Sequence, residues 1–218
     1  IIDRKPSDIN WDLVFGQIQD GRLVPPSDIY GEKMGRVCMG EDPWETIFFA
    51  AYHLFGSIES LTPEKQQVLV SLLRRQKEWL ECYTNNLRYF LISGISHAVV
   101  MPSAYMIEMQ EEYDWVRFAL PDAGTLLIIG CLSIPSCSKR VDLAHKVINY
   151  LLSKQGGVNC FEEHYFYPAN KKAYSALPKW VQDNPYLFPQ GEVFSRMGVA
   201  HNQLPLTSVE QMWYDIKR

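Results

Sequence analysis

Pro121-Asp122-Ala123-Gly124-Thr125-Leu126-Leu127-Ile128-Ile129-Gly130-Cys131-Leu132-Ser133-Ile134-Pro135 opens the stretch, residues 121–157, whose reading decides the fold. A turn at Asp122 to Gly124 leads into the apolar run Leu126 to Ile134. That run is too short for a membrane span and rich enough in Ile and Leu to predict a buried strand. Pro135 stops it. Ser138 is placed to cap the next helix, whose apolar positions Val141, Ala144, Val147, Ile148, Leu151 and Leu152 recur at helical spacing. Gly156 and Gly157 are expected to end it.

Upstream, the same logic repeats. Arg36 to Met39 reads as a short strand. Asp42-Pro43-Trp44-Glu45 is a helix start, with Asp42 as N-cap, Pro43 at the first helical position and Glu45 three beyond the cap. The helix is expected to reach Gly56. Thr62-Pro63-Glu64 starts a second, longest helix through Leu72, Leu73, Trp79 and Leu80, and Thr84 to Ser93 a third. His97 to Met101 and Trp115 to Ala119 read as strands around a helix from Pro102 to Glu111. Before all of these, Ser7 or Asp8 would cap a short helix through Trp11 to Ile18, and residues 21–35 are loop. Downstream, Asn159 to Tyr167 is helix then turn, two short helical turns follow to Gln182, and a C-terminal helix begins near Thr207. Strands alternating with helices predict an α/β fold.

Several stretches, taken in order, resemble the spermidine/putrescine-binding proteins of bacterial ABC transporters. In the organising stretch the matching residues are Pro121, Gly124, Leu132, Ile134, Pro135, Ala144, Ile148, Asn149, Leu151 and Leu152. Gly35-Arg36-Val37-Cys38-Met39-Gly40-Glu41-Asp42-Pro43-Trp44-Glu45, Pro168-Ala169-Asn170-Lys171-Lys172-Ala173, Asp183 to Glu192 and Glu210 to Lys217 extend the match to nearly the whole chain. The resemblance implies a periplasmic-binding-protein-like (type II) α/β fold, with a mixed sheet flanked by helices. The family's opening first-lobe segment has no counterpart here. The implied organisation is therefore one complete lobe over 1–120, with 121–218 as the returning segment of an incomplete other lobe plus C-terminal helices. The buried strand would then need another chain or a further segment to complete its sheet.

A polyamine clamp pairs carboxylates with ammonium groups and holds methylenes against aromatic faces. The resemblance puts the acidic pair at Asp42 and Glu45, with Trp44 between them, Met101 where the family has a Trp, and an aromatic at Phe166, with Tyr167 beside it. Ile128 and Gly130 stand at the family's Trp and Asp, and its Gln falls near Val199 or His201. The expected function is solute binding for a polyamine-type ABC importer with an altered pocket, outside the cytoplasm, the partners being a small cationic solute and a membrane permease. Two other readings stand beside it. Asp42 and Glu45 also make a capping box that needs no ligand. The chain as a whole also reads as an interaction domain of this fold that no longer binds polyamine, fused to a permease or another chain.

Bulk properties narrow the field. The net charge of −4 across 218 residues excludes a basic nucleic-acid footprint. Five cysteines cannot all pair within one chain, and on their own they lean toward a reducing compartment. Cys160 and His164 lie one helical turn apart without a second ligand pair, so no structural zinc is expected, nor any other cofactor. No phosphate loop or nucleophile elbow is present, and a cysteine enzyme ranks last.

Overall fold

The computed structural model describes residues 9–31, 36–187, 189–199 and 204–218. The first elements are α1 (Asp12–Phe15), β1 (Gln17–Gln19), β2 (Arg22–Val24), α2 (Pro26–Tyr30), β3 (Val37–Met39), α3 (Pro43–Phe55), α4 (Pro63–Gln76), β4 (Leu80–Tyr83), α5 (Leu87–Ile92), β5 (Ala98–Val99) and α6 (Ala104–Glu112). Then come β6 (Leu126–Leu127), α7 (Val141–Leu151), α8 (Lys154–His164), α9 (Lys171–Tyr174), α10 (Lys179–Gln182), α11 (Glu192–Ser195), β7 (Gly198–Val199) and α12 (Leu206–Lys217). Among the described residues no helix is long and apolar enough to cross a membrane.

Two compact units share this chain. One comprises Ile1–Met101, Ala119–Ile128 and Glu192–Arg218, the other Pro102–Phe118 and Ile129–Gly191. They are interleaved in sequence, and neither coincides with 1–120 or 121–218.

The first unit is built on β3. Its Val37, Cys38 and Met39 are all buried, and it pairs in parallel with β4 on one side and β5 on the other. Parallel neighbours need a crossover, which α3 and α4 supply between β3 and β4. Helix α3 is buried on nearly every side from Thr46 to Tyr52, as an almost uninterrupted apolar run requires. Burying side chains such as Ile47 and Phe48 stabilises the unit by about 1.5–3 kcal/mol each. Gly56, at φ 65°, closes α3 in the left-handed conformation, its N–H donating to the Tyr52 carbonyl. Helix α4 turns Leu69, Leu72 and Leu73 inward, and α12 adds Val209, Met212 and Ile216 to the same core. The Val14 carbonyl accepts from Gln76 Nε2 at 3.0 Å and from Trp79 Nε1 at 2.9 Å, which anchors α1 to the end of α4.

Three expectations for this unit are corrected. Helix α4 stops at Gln76, so Trp79 sits in a turn and Leu80 in β4. The helix expected to run through Ile18 stops at Phe15, and the chain from Gln17 to Val24 forms the β1–β2 hairpin instead. Its turn residues Asp20 and Gly21 both have positive φ, as a tight two-residue hairpin turn demands. The strand expected from Leu126 to Ile134 is only Leu126–Leu127, paired in parallel with β7. Beyond it Ile128, Ile129 and Leu132 are exposed. The caps expected at Ser7 or Asp8 lie outside the described residues.

The second unit has a small core of Ile107, Phe161, Leu177 and Val181, flanked by Phe118, Tyr174 and Tyr186. Trp115 to Ala119 forms no strand. Helix α7 keeps the expected apolar spacing but buries none of its residues. Gly156 and Gly157 do not end it. Ser153 caps a new helix, α8, its Oγ accepting from Gly156 N. Both glycines are buried inside α8, where a Cβ would strike the Tyr150 carbonyl or the Ala173 methyl. They are small because α8 approaches its neighbours closely.

Candidate functional site

Strands β3, β4 and β5 all point the same way, so their carboxyl ends open on one edge of the sheet. In parallel α/β sheets, ligands bind outside that edge. Here it carries three loops: Gly40 to Asp42 after β3, Thr84 to Asn86 after β4, and Val100 to Met101 after β5. The Met39 carbonyl accepts from Thr84 N at 2.9 Å, which holds the first two loops side by side.

Asp42 is the N-cap of α3. Its Oδ1 accepts from Trp44 N at 2.8 Å and Glu45 N at 3.1 Å, and its backbone is extended as a cap requires. The second oxygen, Oδ2, takes no hydrogen bond among the described residues. Glu45 follows on the first turn and is half-buried. Burial pushes its carboxyl above the usual range, and the Asp42 carboxylate raises it further. The pair is therefore a concentration of negative charge that capping alone leaves incompletely neutralised, although the positive end of α3 favours anions. Trp44 sits between them, half-buried, with its ring edge-on to Phe48 at 5.6 Å.

Glu41 and Asn85 join this edge, with Asn85 Nδ2 donating to Glu41 Oε2 at 3.2 Å. Neither stood out in the sequence. Their contact depends on the pairing of β3 with β4, which no local pattern announces. Met101 ends the first of the three segments that make up the first unit, half-buried, just after β5.

Phe166 and Tyr167 belong to the second unit, on the loop after α8. Both are exposed, Phe166 beside His164 at 6.2 Å and Tyr167 stacked on Tyr174 at 5.9 Å. Ile128 and Gly130 are exposed as well. Of the expected site residues, then, Asp42, Trp44, Glu45 and Met101 share one sheet edge, and the aromatics lie on the other unit. His201 lies outside the described residues. No group of three or more His, Cys, Asp or Glu among the described residues could hold a metal ion. A shallow groove of about 570 Å³ runs between α4 and α12, lined by polar groups including Gln66, Arg74, Gln211 and Asp215. None of the carboxyl-edge residues lines it.

Residues 92–194 match the family model described as bacterial extracellular solute-binding protein. The chain is 25% identical over 128 residues to spermidine/putrescine-binding periplasmic protein 1 of Haemophilus influenzae, covering 59% of this chain and 36% of that protein. It is 30% identical over 91 residues to the putrescine-binding periplasmic protein PotF of Escherichia coli, covering 41% of this chain and 24% of that one. The match thus spans about a third or less of the curated relatives' length. Among solved structures it is similar to the spermidine/putrescine ABC transporter substrate-binding protein PotD of Streptococcus pneumoniae, crystallised with calcium and HEPES. The TM-score is 0.73 at 16% identity, over 99% of this chain and 63% of that one. This likeness shows the fold, a periplasmic-binding-protein-like α/β architecture.

Proposed function

We propose that this chain belongs with the bacterial spermidine/putrescine-type extracellular solute-binding proteins it resembles, and that it is the cation-recognising part of an extracytoplasmic binding protein that delivers its solute to an ABC permease. The observation that carries the reading is the Asp42–Glu45 pair at the carboxyl edge of the parallel sheet. Burial and mutual repulsion raise Glu45, and an ammonium group placed there would relieve both. A primary ammonium group donates three hydrogen bonds, which suits an edge offering the Asp42 Oδ2 and the Glu41 and Glu45 carboxylates. Trp44 and Met101, on the same sheet edge, supply apolar and aromatic surface of the kind that the methylenes of a polyamine need. Met101, Ile128 and Gly130 replace two tryptophans and an acid of the family pattern, so selectivity among polyamines is expected to differ from that of the relatives. The chain performs no covalent chemistry in this reading.

Thermal unfolding with spermidine, putrescine and, as controls, sodium and a neutral diol of matching length tests it. A ligand at a hundredfold its Kd stabilises by about 2.7 kcal/mol, so the melting temperature should rise with dose for a polyamine alone. An unchanged melting temperature at millimolar polyamine would refute the cation site. A second reading is favoured by α7, which leaves Val141, Leu143, Val147 and Tyr150 exposed. An interaction domain would use that face, and would assemble without responding to amines.

A further inference from the structure

We propose that Cys38 and Cys82 are a redox-active pair, a dithiol that closes to a disulfide on meeting a small disulfide oxidant such as oxidised glutathione. All five cysteines are thiols in this structure. Only these two are brought together among the described residues: their sulfurs lie 3.4 Å apart, although 44 positions separate them in sequence. They are register partners on the neighbouring parallel strands β3 and β4, just past an irregularity between Val37 and Cys38. Adjacent strands run about 4.8 Å apart, inside the 4.4–6.8 Å Cα separation that a disulfide tolerates. A modest approach of the two sulfurs closes the bond without moving either strand out of the sheet.

The surroundings assign each thiol a step. Cys38 is fully buried, and its sulfur is 3.0 Å from the hydroxyl of Ser96, itself buried. Cys82 is partly exposed, so the oxidant reaches it first. Its thiolate attacks one sulfur of the oxidised glutathione and expels one glutathione thiolate, leaving a mixed disulfide. Cys38 then ionises, with the Ser96 hydroxyl donating to the new thiolate in place of water, and attacks the Cys82 sulfur. The second glutathione leaves. The cysteine pair gives up two electrons, the oxidant's sulfur–sulfur bond is broken, and the two cysteine protons end on two glutathione thiols. Burial first, then the neighbouring Cys38, pushes the Cys82 thiol up to about 12. Oxidation should therefore be slow at neutral pH and quicken about tenfold for each pH unit above it.

Once closed, the bond would join the strand that leads to Asp42 to the strand that leads to Asn85. It would also close a loop of 44 residues. The proposal rests on the β3–β4 register and not on any ligand, so polyamine binding can fail without touching it. The test incubates the whole reduced protein with oxidised glutathione at pH 8.5 and follows it by peptide mapping and thermal unfolding. The expected results are a Cys38–Cys82 linked peptide pair and a melting temperature raised by about 5–15 °C that falls back on adding dithiothreitol. Cys82→Ser, at the more exposed position, should abolish both. A variant with Cys131, Cys137 and Cys160 all changed to Ser should keep both, and the linkage map of the unaltered chain needs no variant at all. Persistence of both thiols while the exposed Cys131 and Cys137 are modified would overturn the proposal. So would a stable glutathione adduct on Cys82 that Cys38 never resolves.

Discussion

Asp42 separates a structural role from a binding role in one pair of substitutions. Its Oδ1 accepts two backbone amides, at 2.8 and 3.1 Å, at the start of the helix on which the first unit's core is built. Asp42→Ala removes both acceptors and should destabilise the unit by about 1–2 kcal/mol. At 2–4 °C per kcal/mol for a chain of this size, that is a melting temperature lowered by about 2–8 °C. Asp42→Asn keeps the acceptor oxygen, and Asn is as good an N-cap as Asp. It loses about 0.3–1 kcal/mol of favourable charge against the helix end but also relieves the repulsion on Glu45. Its melting temperature should therefore stay within a degree or two of the parent. Binding should behave oppositely. Losing a hydrogen bond to a charged group costs about 1.5–3 kcal/mol, so titration calorimetry with spermidine should show affinity about 10- to 150-fold weaker in Asp42→Asn. If Asn binds spermidine as tightly as Asp, the carboxylate is a cap and nothing more. If Asn destabilises as much as Ala, the capping argument itself is wrong.

Three further outcomes follow from the same structure. His53 is buried and its Nδ1 lies 3.5 Å from Asp12 Oδ1, yet burial holds the imidazole down to about 4 and raises Asp12, so the histidine is neutral rather than half of an ion pair. Because its folded value lies below the ordinary 6.5, stability should be complete above pH 6.5 and fall by ~3 kcal/mol as the pH drops to about 4, with His53→Gln flattening that slope in urea titrations. Glu45 has the opposite sign: its raised carboxyl favours the folded state below the ordinary carboxylate range and loses that contribution as pH rises through its folded value, so Glu45→Gln should raise the neutral-pH melting temperature and abolish the pH dependence of spermidine affinity. Gly124 has φ 104°, and a Cβ there would meet the Arg196 carbonyl and the Tyr52 ring, so Gly124→Ala should destabilise by at least about 1–3 kcal/mol in a denaturant titration.

What could be read from sequence was whatever is decided within a turn of chain. Asp42-Pro43-Trp44-Glu45 and Thr62-Pro63-Glu64 announced α3 and α4 because capping is local chemistry, and both caps are formed. The apolar spacing of Val209, Met212 and Ile216 announced α12 in the same way. Leu126 to Ile134 misled because an apolar run reports affinity for burial and not the presence of something to bury against. Only Leu126 and Leu127 find a strand partner, seventy-odd positions away at Gly198 and Val199. The end of α4 was missed because Trp79 and Leu80 fit a helical stripe, while the pairing that makes Leu80 a strand residue lies with Val37. Of the candidate site residues, Asp42 and Glu45 could be read from their spacing as a helix start, and as a binding pair only through the family resemblance. The contact of Glu41 with Asn85, like that of Cys38 with Cys82, exists only once β3 and β4 are paired.

The place of α12 in the core sets an order of events during synthesis. Val209, Met212 and Ile216 fill space against α3 and α4, elements made more than a hundred residues earlier. The first unit can therefore not finish packing until residues 206–217 have left the ribosome, whereas every residue of the second unit has been made by Gly191. At about 5–20 residues per second, α3 must wait some seconds with part of its apolar surface uncovered. That interval is when a nascent chain is open to chaperone binding or to aggregation, and removing the last helix would make it permanent.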